Sequence, residues 1–182
     1  MTNRKNTGIV MMLLALMGAC KDEVSPINPP QNATELITTM QLVMKDSATG
    51  EIKTFAFKDP DGEGGNGPTQ FDTITLKSGS VYNCELILLD ESKSTADTIS
   101  NEVQEEADEH LVFYDVAGAA VNISITDKDS KQLPLGLRSI WRTAQIGQGT
   151  VTVQLKHQPG QKDGSRAPGE TDAMVSYPIK IE

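Results

Sequence analysis

The sequence predicts a mostly β protein: an antiparallel β-sandwich of immunoglobulin-like type, with about eight to nine strands and one inserted helix. Short segments rich in β-branched and aliphatic residues are separated by turn residues along most of the chain. Apolar and polar side chains alternate within them, as in Thr150–His157, where Val151, Val153 and Leu155 would face the core. The chain lacks the strand–helix alternation that builds a parallel sheet.

The predicted strands begin at residue 37 and continue to residue 181. Two pairs of strands form hairpins, because turn residues connect them at 46–50 and at 77–80. The nine predicted strands are Ile37–Met44, Ile52–Phe57, Thr73–Leu76, Val81–Leu89, Leu111–Tyr114, Val121–Thr126, Ser139–Thr143, Thr150–His157 and Met174–Ile181. Since aromatic residues make up only 4% of the chain, we expect an aliphatic core.

The segment Ser94–Glu109 departs from the strand pattern. It lacks strand residues and carries Ile99, Val103 and Ala107 at helical spacing. Ser94-Thr-Ala-Asp97 fits a capping box at a helix start. The segment therefore predicts a single helix that packs a narrow apolar stripe against the sandwich.

The N-terminus has the layout of a bacterial lipoprotein signal peptide. Arg4 and Lys5 precede an apolar run that ends in Gly18-Ala19-Cys20, where small residues come before the cysteine to be lipidated. The run is too short to span a bilayer comfortably, and no stop-transfer pattern follows it. The alternative is an ordinary secretory signal, or a hydrophobic helix that happens to end in cysteine.

This layout predicts three parts of the chain. Residues 1–19 would be removed as the signal peptide. Residues 20–34, which contain three prolines, would form a lipidated tether, with Cys20 carrying acyl chains such as palmitate. Residues 35–182 would form a single β-sandwich domain.

Short patterns favour a cell-surface location. Lys21-Asp22-Glu23, directly after Cys20, resembles the acidic export tag of lipoproteins of the Bacteroidota, and its alternative is a plain polar tether. Triplets that begin at Asp46, Asp72 and Asp97 look like the O-glycosylation site of the same phylum. We therefore expect a lipid-anchored outer-membrane protein at the cell surface, with the periplasmic face as the alternative.

The net charge narrows the class of binding partner, and the cysteine count bears on disulfide formation. Loss of residues 1–19 removes two positive charges and takes the net charge from −9 to −11. An acidic surface argues against nucleic acid and against direct adhesion to anionic lipid, and it is compatible with cation binding. The chain has two cysteines, and lipidation of Cys20 would leave Cys84 without a partner for an internal disulfide. Cys84 alternates with apolar residues, which predicts a buried, inert thiol.

The acidic helix carries a candidate transition-metal site. Glu102, Glu106 and His110 recur at i, i+4 and i+8, so they would project from one helix face beside the apolar stripe. His157 follows the inward-facing positions of its strand and would add a ligand if that strand end reaches the helix. Carboxylates and imidazoles of this kind bind Zn or Cu. The alternatives are a solvated acidic face, with His110 starting the next strand, and a half-buried His157 satisfied by the protein.

The loop at residues 59–67 carries a candidate calcium site. Asp59, Asp61 and Glu63, followed by a glycine, match the first half of an EF-hand loop. The rest of the loop does not match, because Gln70 occupies the position at which an EF-hand loop has a bidentate carboxylate. The alternative is a glycine-rich connection without an ion.

Catalytic motifs are missing from the sequence. It contains no Gly-x-Ser-x-Gly and no glycine-rich phosphate loop before a helix. A small glycosidase would be expected to carry more aromatic residues to stack sugars. We therefore predict a protein that is not an enzyme.

Four segments together resemble a known family. They are the acidic tag after Cys20 and the motifs Phe57-Lys-Asp-Pro-Asp-Gly62, Glu105-Glu-Ala-Asp-Glu-His110 and Leu155-Lys-His-Gln-Pro-Gly160. The chain resembles uncharacterised outer-membrane lipoproteins of the Bacteroidota that are found with TonB-dependent receptors. The resemblance spans most of residues 35–182 and implies an accessory role beside an outer-membrane transporter, without catalysis.

Three functions stay open from the sequence. The first is an accessory lipoprotein that binds a small ligand or a metal for an outer-membrane receptor. The second is a structural or adhesive surface domain, with or without calcium. The third is a hydrolase, which would need a concave site with two facing carboxylates.

Overall fold

The computed structural model describes residues 36–61 and 66–182, together with Met1. Apart from Met1, the predicted signal peptide at 1–19 lies outside the described residues, as do the tether at 20–34 with Cys20 and the candidate calcium ligand Glu63. Within the described residues, no helix has the length and apolar character needed to cross a membrane.

The described residues form ten strands and one helix. All nine predicted strands are present, with ends that differ by a few residues. The additional strand, β3, has only two residues, too few to show any alternation. The elements are β1 (Thr39–Asp46), β2 (Ile52–Lys58), β3 (Gln70–Phe71), β4 (Ile74–Leu76), β5 (Val81–Leu89), α1 (Ile99–Glu105), β6 (His110–Ala117), β7 (Val121–Ile125), β8 (Arg138–Thr143), β9 (Gly147–His157) and β10 (Glu170–Ile181).

The strands form two sheets. A six-stranded sheet has the order β3-β2-β1-β5-β8-β7, and a four-stranded sheet has the order β4-β10-β9-β6. This mostly β architecture with one helix confirms the predicted sandwich class, and the immunoglobulin-like type stays a prediction. The antiparallel prediction is wrong for one pair, because β4 lies parallel to the end of β10. These two strands are far apart in the sequence, so no hairpin dictates their direction.

The core lies between the two sheets and is mainly aliphatic, as predicted. Val151, Val153 and Leu155 are all buried. The two largest fully buried side chains keep their polar atoms bonded, since Trp141 Nε1 donates to Ser139 Oγ at 2.9 Å and Tyr177 Oη donates to the Met40 carbonyl at 2.7 Å. The tyrosine bond joins the two sheets.

The single described cysteine side chain, Cys84, lies in the core. It stands on β5, where buried and exposed side chains alternate. Burial raises the pKa of its thiol to about 12. The prediction of a buried thiol is confirmed.

The helix is shorter than predicted. It runs from Ile99 to Glu105, and Thr98 precedes it without a side-chain capping bond. The capping box predicted at Ser94–Asp97 is wrong, because Asp97 forms two backbone hydrogen bonds with Asp90 in an isolated β-bridge. The apolar stripe itself is confirmed: Ile99 and Val103 are buried, and the half-buried Ala107 packs against the core beyond the helix end.

Candidate functional site

Two histidines stack against each other at one end of the four-stranded sheet. His110 is the first residue of β6 and His157 is the last residue of β9, and the antiparallel register places them directly opposite each other. Their ring centroids are 4.5 Å apart with an angle of 9° between the ring planes. Only 2% of His110 and 7% of His157 is exposed. Each residue follows the inward-facing alternation of its strand, so the imidazoles close this end of the core.

Carboxylates surround the stacked rings. One carboxylate oxygen of Glu106 and one ring nitrogen of each histidine lie within 4.8 Å of one another. Glu109 Oε2 is 3.4 Å from His157 Nε2, and Asp172 Oδ2 is 4.0 Å from His110 Nε2. These five residues, Glu106, Glu109, His110, His157 and Asp172, are called the histidine–carboxylate cluster below.

A β-bulge supplies Asp172 to this cluster. In the pairing of β9 with β10, Thr171 lies opposite Lys156 and Ala173 lies opposite Leu155. Asp172 is therefore an extra residue without a partner in the register. A bulge bends its strand and redirects the side chain, and bulges are over-represented beside functional sites.

Burial keeps His110 neutral at physiological pH. Its Nδ1 lies 3.2 Å from the carbonyl oxygen of Glu106. Since a carbonyl only accepts, this contact assigns the proton to Nδ1 and leaves the lone pair of Nε2 on the side of Asp172. Burial lowers the pKa of His110 to about 4 and raises the pKa of Asp172. An imidazole with a free lone pair is the form that binds a metal.

The low pKa of His110 predicts a loss of stability in mild acid. In the unfolded chain the imidazole has its ordinary pKa of 6.5, whereas in the folded protein the pKa is about 4. The unfolded state therefore binds more protons between these values. Above the pKa of 6.5 that the imidazole has in the unfolded chain, the neutral ring makes its full contribution to the free energy of unfolding. This contribution is lost as the pH falls through the pKa of about 4 in the folded protein, and the loss is at most on the order of 3 kcal/mol.

Two features sharpen the test of this pH dependence. The raised pKa of Asp172 has the opposite sign and offsets part of the loss. Urea unfolding between neutral pH and about pH 4 should give a shallower decline for His110→Gln than for the unmodified protein. Equal slopes for the two proteins would contradict the assignment of the decline to His110.

The structure gathers three of the four predicted transition-metal ligands. Glu106, His110 and His157 lie together, whereas Glu102 lies outside the group. The helical spacing of the prediction does not extend to His110, because α1 ends at Glu105 and His110 belongs to β6. Metal binding itself stays a prediction.

The sequence interpretation missed two members of the cluster, Glu109 and Asp172. Glu109 adjoins His110, but an uninterrupted helix would place the two on different faces. Asp172 carries no sequence signal, since neither the bulge nor the neighbouring strand is visible in its local pattern.

Three ligand atoms within 4.8 Å are close enough to hold a transition metal after small adjustments. In tetrahedral zinc sites the ligand atoms are about 3.3 Å apart, because the metal–ligand bonds are about 2.0–2.1 Å long. Each ligand atom would need to move by less than about 1 Å. The carboxylates of Glu109 and Asp172 stand beside the imidazoles, where they could orient them or complete the coordination.

A buried ion pair holds the chain beside this cluster. Lys162 Nζ lies 2.8 Å from Asp129 Oδ2 and donates a 2.8 Å hydrogen bond to the carbonyl of Ala107. Both charged side chains are fully shielded from solvent. Asp129 also accepts backbone hydrogen bonds from Lys131 and Leu133. The pair thus fixes the loop after β9 to the segment that carries Glu106 and Glu109.

The predicted calcium ligands are only partly described. Asp61 accepts hydrogen bonds from the backbone and side chain of Asn66, and these bonds lower its pKa. Asp59 has one buried carboxylate oxygen without a hydrogen-bond partner, and burial, together with Asp61, raises its pKa. With Glu63 outside the described residues, the calcium site stays a prediction.

Comparisons with known proteins do not assign the chain to a family. No protein-family model, no curated protein sequence and no solved structure matches it. The chemistry of the histidine–carboxylate cluster therefore carries the functional argument.

Proposed function

We propose that this protein is a non-enzymatic binding module of the cell envelope that holds a first-row transition metal at Glu106, His110 and His157. The observation that carries the proposal is the stacked pair of buried histidines, which occupies inward-facing positions that apolar side chains and one tyrosine fill elsewhere on the same strands. Imidazole nitrogens and a carboxylate oxygen held this close together form a donor set that can coordinate a metal.

The donor set favours zinc or copper. Two imidazole nitrogens and a carboxylate oxygen match the ligands of Zn²⁺ and Cu²⁺ sites, whereas Ca²⁺ requires six to eight oxygen ligands. The exposed Glu106 carboxylate connects the buried rings to solvent. This position gives a metal ion a route to the histidines.

The sequence supports a place for this module at the outer membrane. Lipidation of Cys20 and the acidic tag behind it would anchor the domain there, at the cell surface. Together with the family resemblance, these features favour an accessory role beside a TonB-dependent transporter, for which the domain would capture the metal.

Titration calorimetry of the full-length protein with Zn²⁺ and Cu²⁺ tests the proposal. We expect about one ion per chain, with a Kd in the micromolar range or below. Ca²⁺ serves as the matched control and should give no binding at the cluster. Binding of zinc and copper no tighter than about 1 mM would refute the proposal.

A structural or adhesive surface domain is the second candidate. The observation that favours it is that protein groups already contact the imidazoles, namely the Glu106 carbonyl at His110 and the Glu109 carboxylate at His157. This function predicts no affinity for zinc or copper. A rise in melting temperature with Ca²⁺ alone would support it, through stiffening of the 59–67 loop.

A further inference from the structure

A groove opens between the two sheets and shares Asp172 with the histidine–carboxylate cluster. Strands β1 and β2 form one wall and β10 forms the other, and the cavity volume is about 530 Å³. Apolar side chains, including Met40, Phe57 and Met174, provide much of the lining. This volume lies within the range of small-molecule sites, about 300–1,000 Å³.

Two carboxylates, Asp59 and Asp172, stand in this mainly apolar groove. Asp59 Oδ1 is shielded from solvent and has no hydrogen-bond partner. The Asp172 side chain is only 12% exposed. Burial is the largest cause of the raised pKa of Asp59. A carboxylate held away from water is costly unless a cation or hydrogen bonds compensate for its lost hydration.

The described lining of the groove provides no basic side chain to neutralise these carboxylates. Lys58, the neighbour of Asp59, pairs instead with Glu91 at 2.9 Å. His110 Nε2 lies 4.0 Å from Asp172 Oδ2, but His110 does not line the groove. The groove therefore favours a positively charged ligand.

The walls favour an organic cation over a metal ion. A hard cation would need several more oxygen ligands than the groove offers beside Met40, Phe57 and Met174. An aliphatic body would bury apolar area against these side chains. The Phe57 ring adds a surface that attracts an ammonium group. Met174 is largely exposed at the groove and offers apolar contact near solvent.

We propose that the groove between β1, β2 and β10 binds a small amphiphilic organic cation, whose ammonium group pairs with Asp59 and Asp172 and whose aliphatic body packs on Met40, Phe57 and Met174. This site adjoins the proposed transition-metal site and shares Asp172 with the histidine–carboxylate cluster. Its ligand differs in chemistry, and Asp59 belongs only to the groove.

Calorimetric titration of the full-length protein with hexylammonium, in the presence of EDTA, tests this site. We expect one molecule per chain with a Kd below about 1 mM. The matched probes 1-hexanol and hexanoate have the same alkyl chain without the positive charge, and they should bind at least about tenfold more weakly. Equal affinity for hexylammonium and 1-hexanol, or no binding of hexylammonium, would overturn the proposal.

Three substitutions separate this site from the rest of the protein. Asp59→Asn is nearly isosteric and should weaken hexylammonium binding at least about tenfold, with zinc affinity unchanged. Glu85→Gln removes the same charge from an exposed position on β5 and should change neither affinity. Glu106→Gln should weaken zinc binding and leave hexylammonium binding unchanged. An Asp59→Asn variant that is folded by circular dichroism and binds hexylammonium as tightly as the unmodified protein would refute the assignment.

Discussion

Replacement of Lys162 by methionine is expected to lower the free energy of unfolding by about 3–5 kcal/mol. The ammonium group is the ion-pair partner of Asp129, and both side chains are fully buried. The substitution would leave the Asp129 carboxylate buried without its counter-charge, and the carbonyl of Ala107 would lose a hydrogen bond. Urea unfolding of the full-length protein at neutral pH measures the change.

Two control variants isolate the buried charge as the cause. The double variant Lys162→Met, Asp129→Leu removes both charges and should recover part of the lost stability, because no uncompensated carboxylate remains. Lys180→Met breaks an exposed pair with Glu182 and should change stability by less than about 1 kcal/mol. If Lys162→Met were no more destabilising than Lys180→Met, the buried pair would not have the role assigned to it.

Removal of a histidine ligand is expected to weaken zinc binding by about a hundredfold or more. The magnitude follows from substitutions of residues that only hydrogen-bond to metal ligands, which already cost about 10–100-fold in metal affinity. His157→Ala removes one of the two imidazoles and leaves the outer carboxylates in place. Zinc titration of this variant should give a Kd of about 0.1 mM or weaker if the unmodified protein binds with a Kd of about 1 μM.

A matched pair of glutamates provides the sharpest test of the ligand set. Glu102 and Glu106 are one helical turn apart in the sequence, and both were candidates from spacing alone. Only Glu106 lies with the histidines. We expect Glu106→Gln to weaken zinc binding and Glu102→Gln to leave it unchanged. If Glu102→Gln weakened zinc binding and Glu106→Gln did not, Glu102 would be the ligand and the assignment of Glu106 from the structure would be wrong.

Most strands could be predicted because their pattern is local. Alternation of apolar and polar residues reports which side of a strand faces the core, as at Val151, Val153 and Leu155. The same pattern correctly placed Cys84 and His157 inside. The two-residue strand β3 has no such pattern, and the parallel pairing of β4 depends on a strand more than 90 residues later.

The helix shows where local signals conflict with the fold. Ser94–Asp97 matches a capping sequence, yet Asp97 pairs with Asp90 in a β-bridge, which delays the helix start to Ile99. At the other end, the helix ends at Glu105, and His110 pairs with His157 as the first residue of β6. Tertiary contacts decided both ends, and the buried stripe between them followed the sequence.

The candidate site was predicted in composition but not in geometry. Residue type and helical spacing predicted Glu102, Glu106 and His110, and strand alternation predicted an inward-facing His157. The stacking of the two rings depends on the register between β6 and β9, and the position of Asp172 depends on a bulge in β10. Neither the register nor the bulge can be predicted from the pattern of neighbouring residues in the sequence.

The sequence by itself determined the class of fold and the inward positions of its strands, because each depends on residues a few positions apart, and it predicts a lipid anchor at Cys20. Only the tertiary structure decided which polar residues meet. The histidine–carboxylate cluster combines side chains from three distant segments at one end of a sheet, and the groove beside it combines β1 and β2 with β10. These contacts between distant side chains depend on strand order and register, and the local alternation of apolar and polar residues does not specify either.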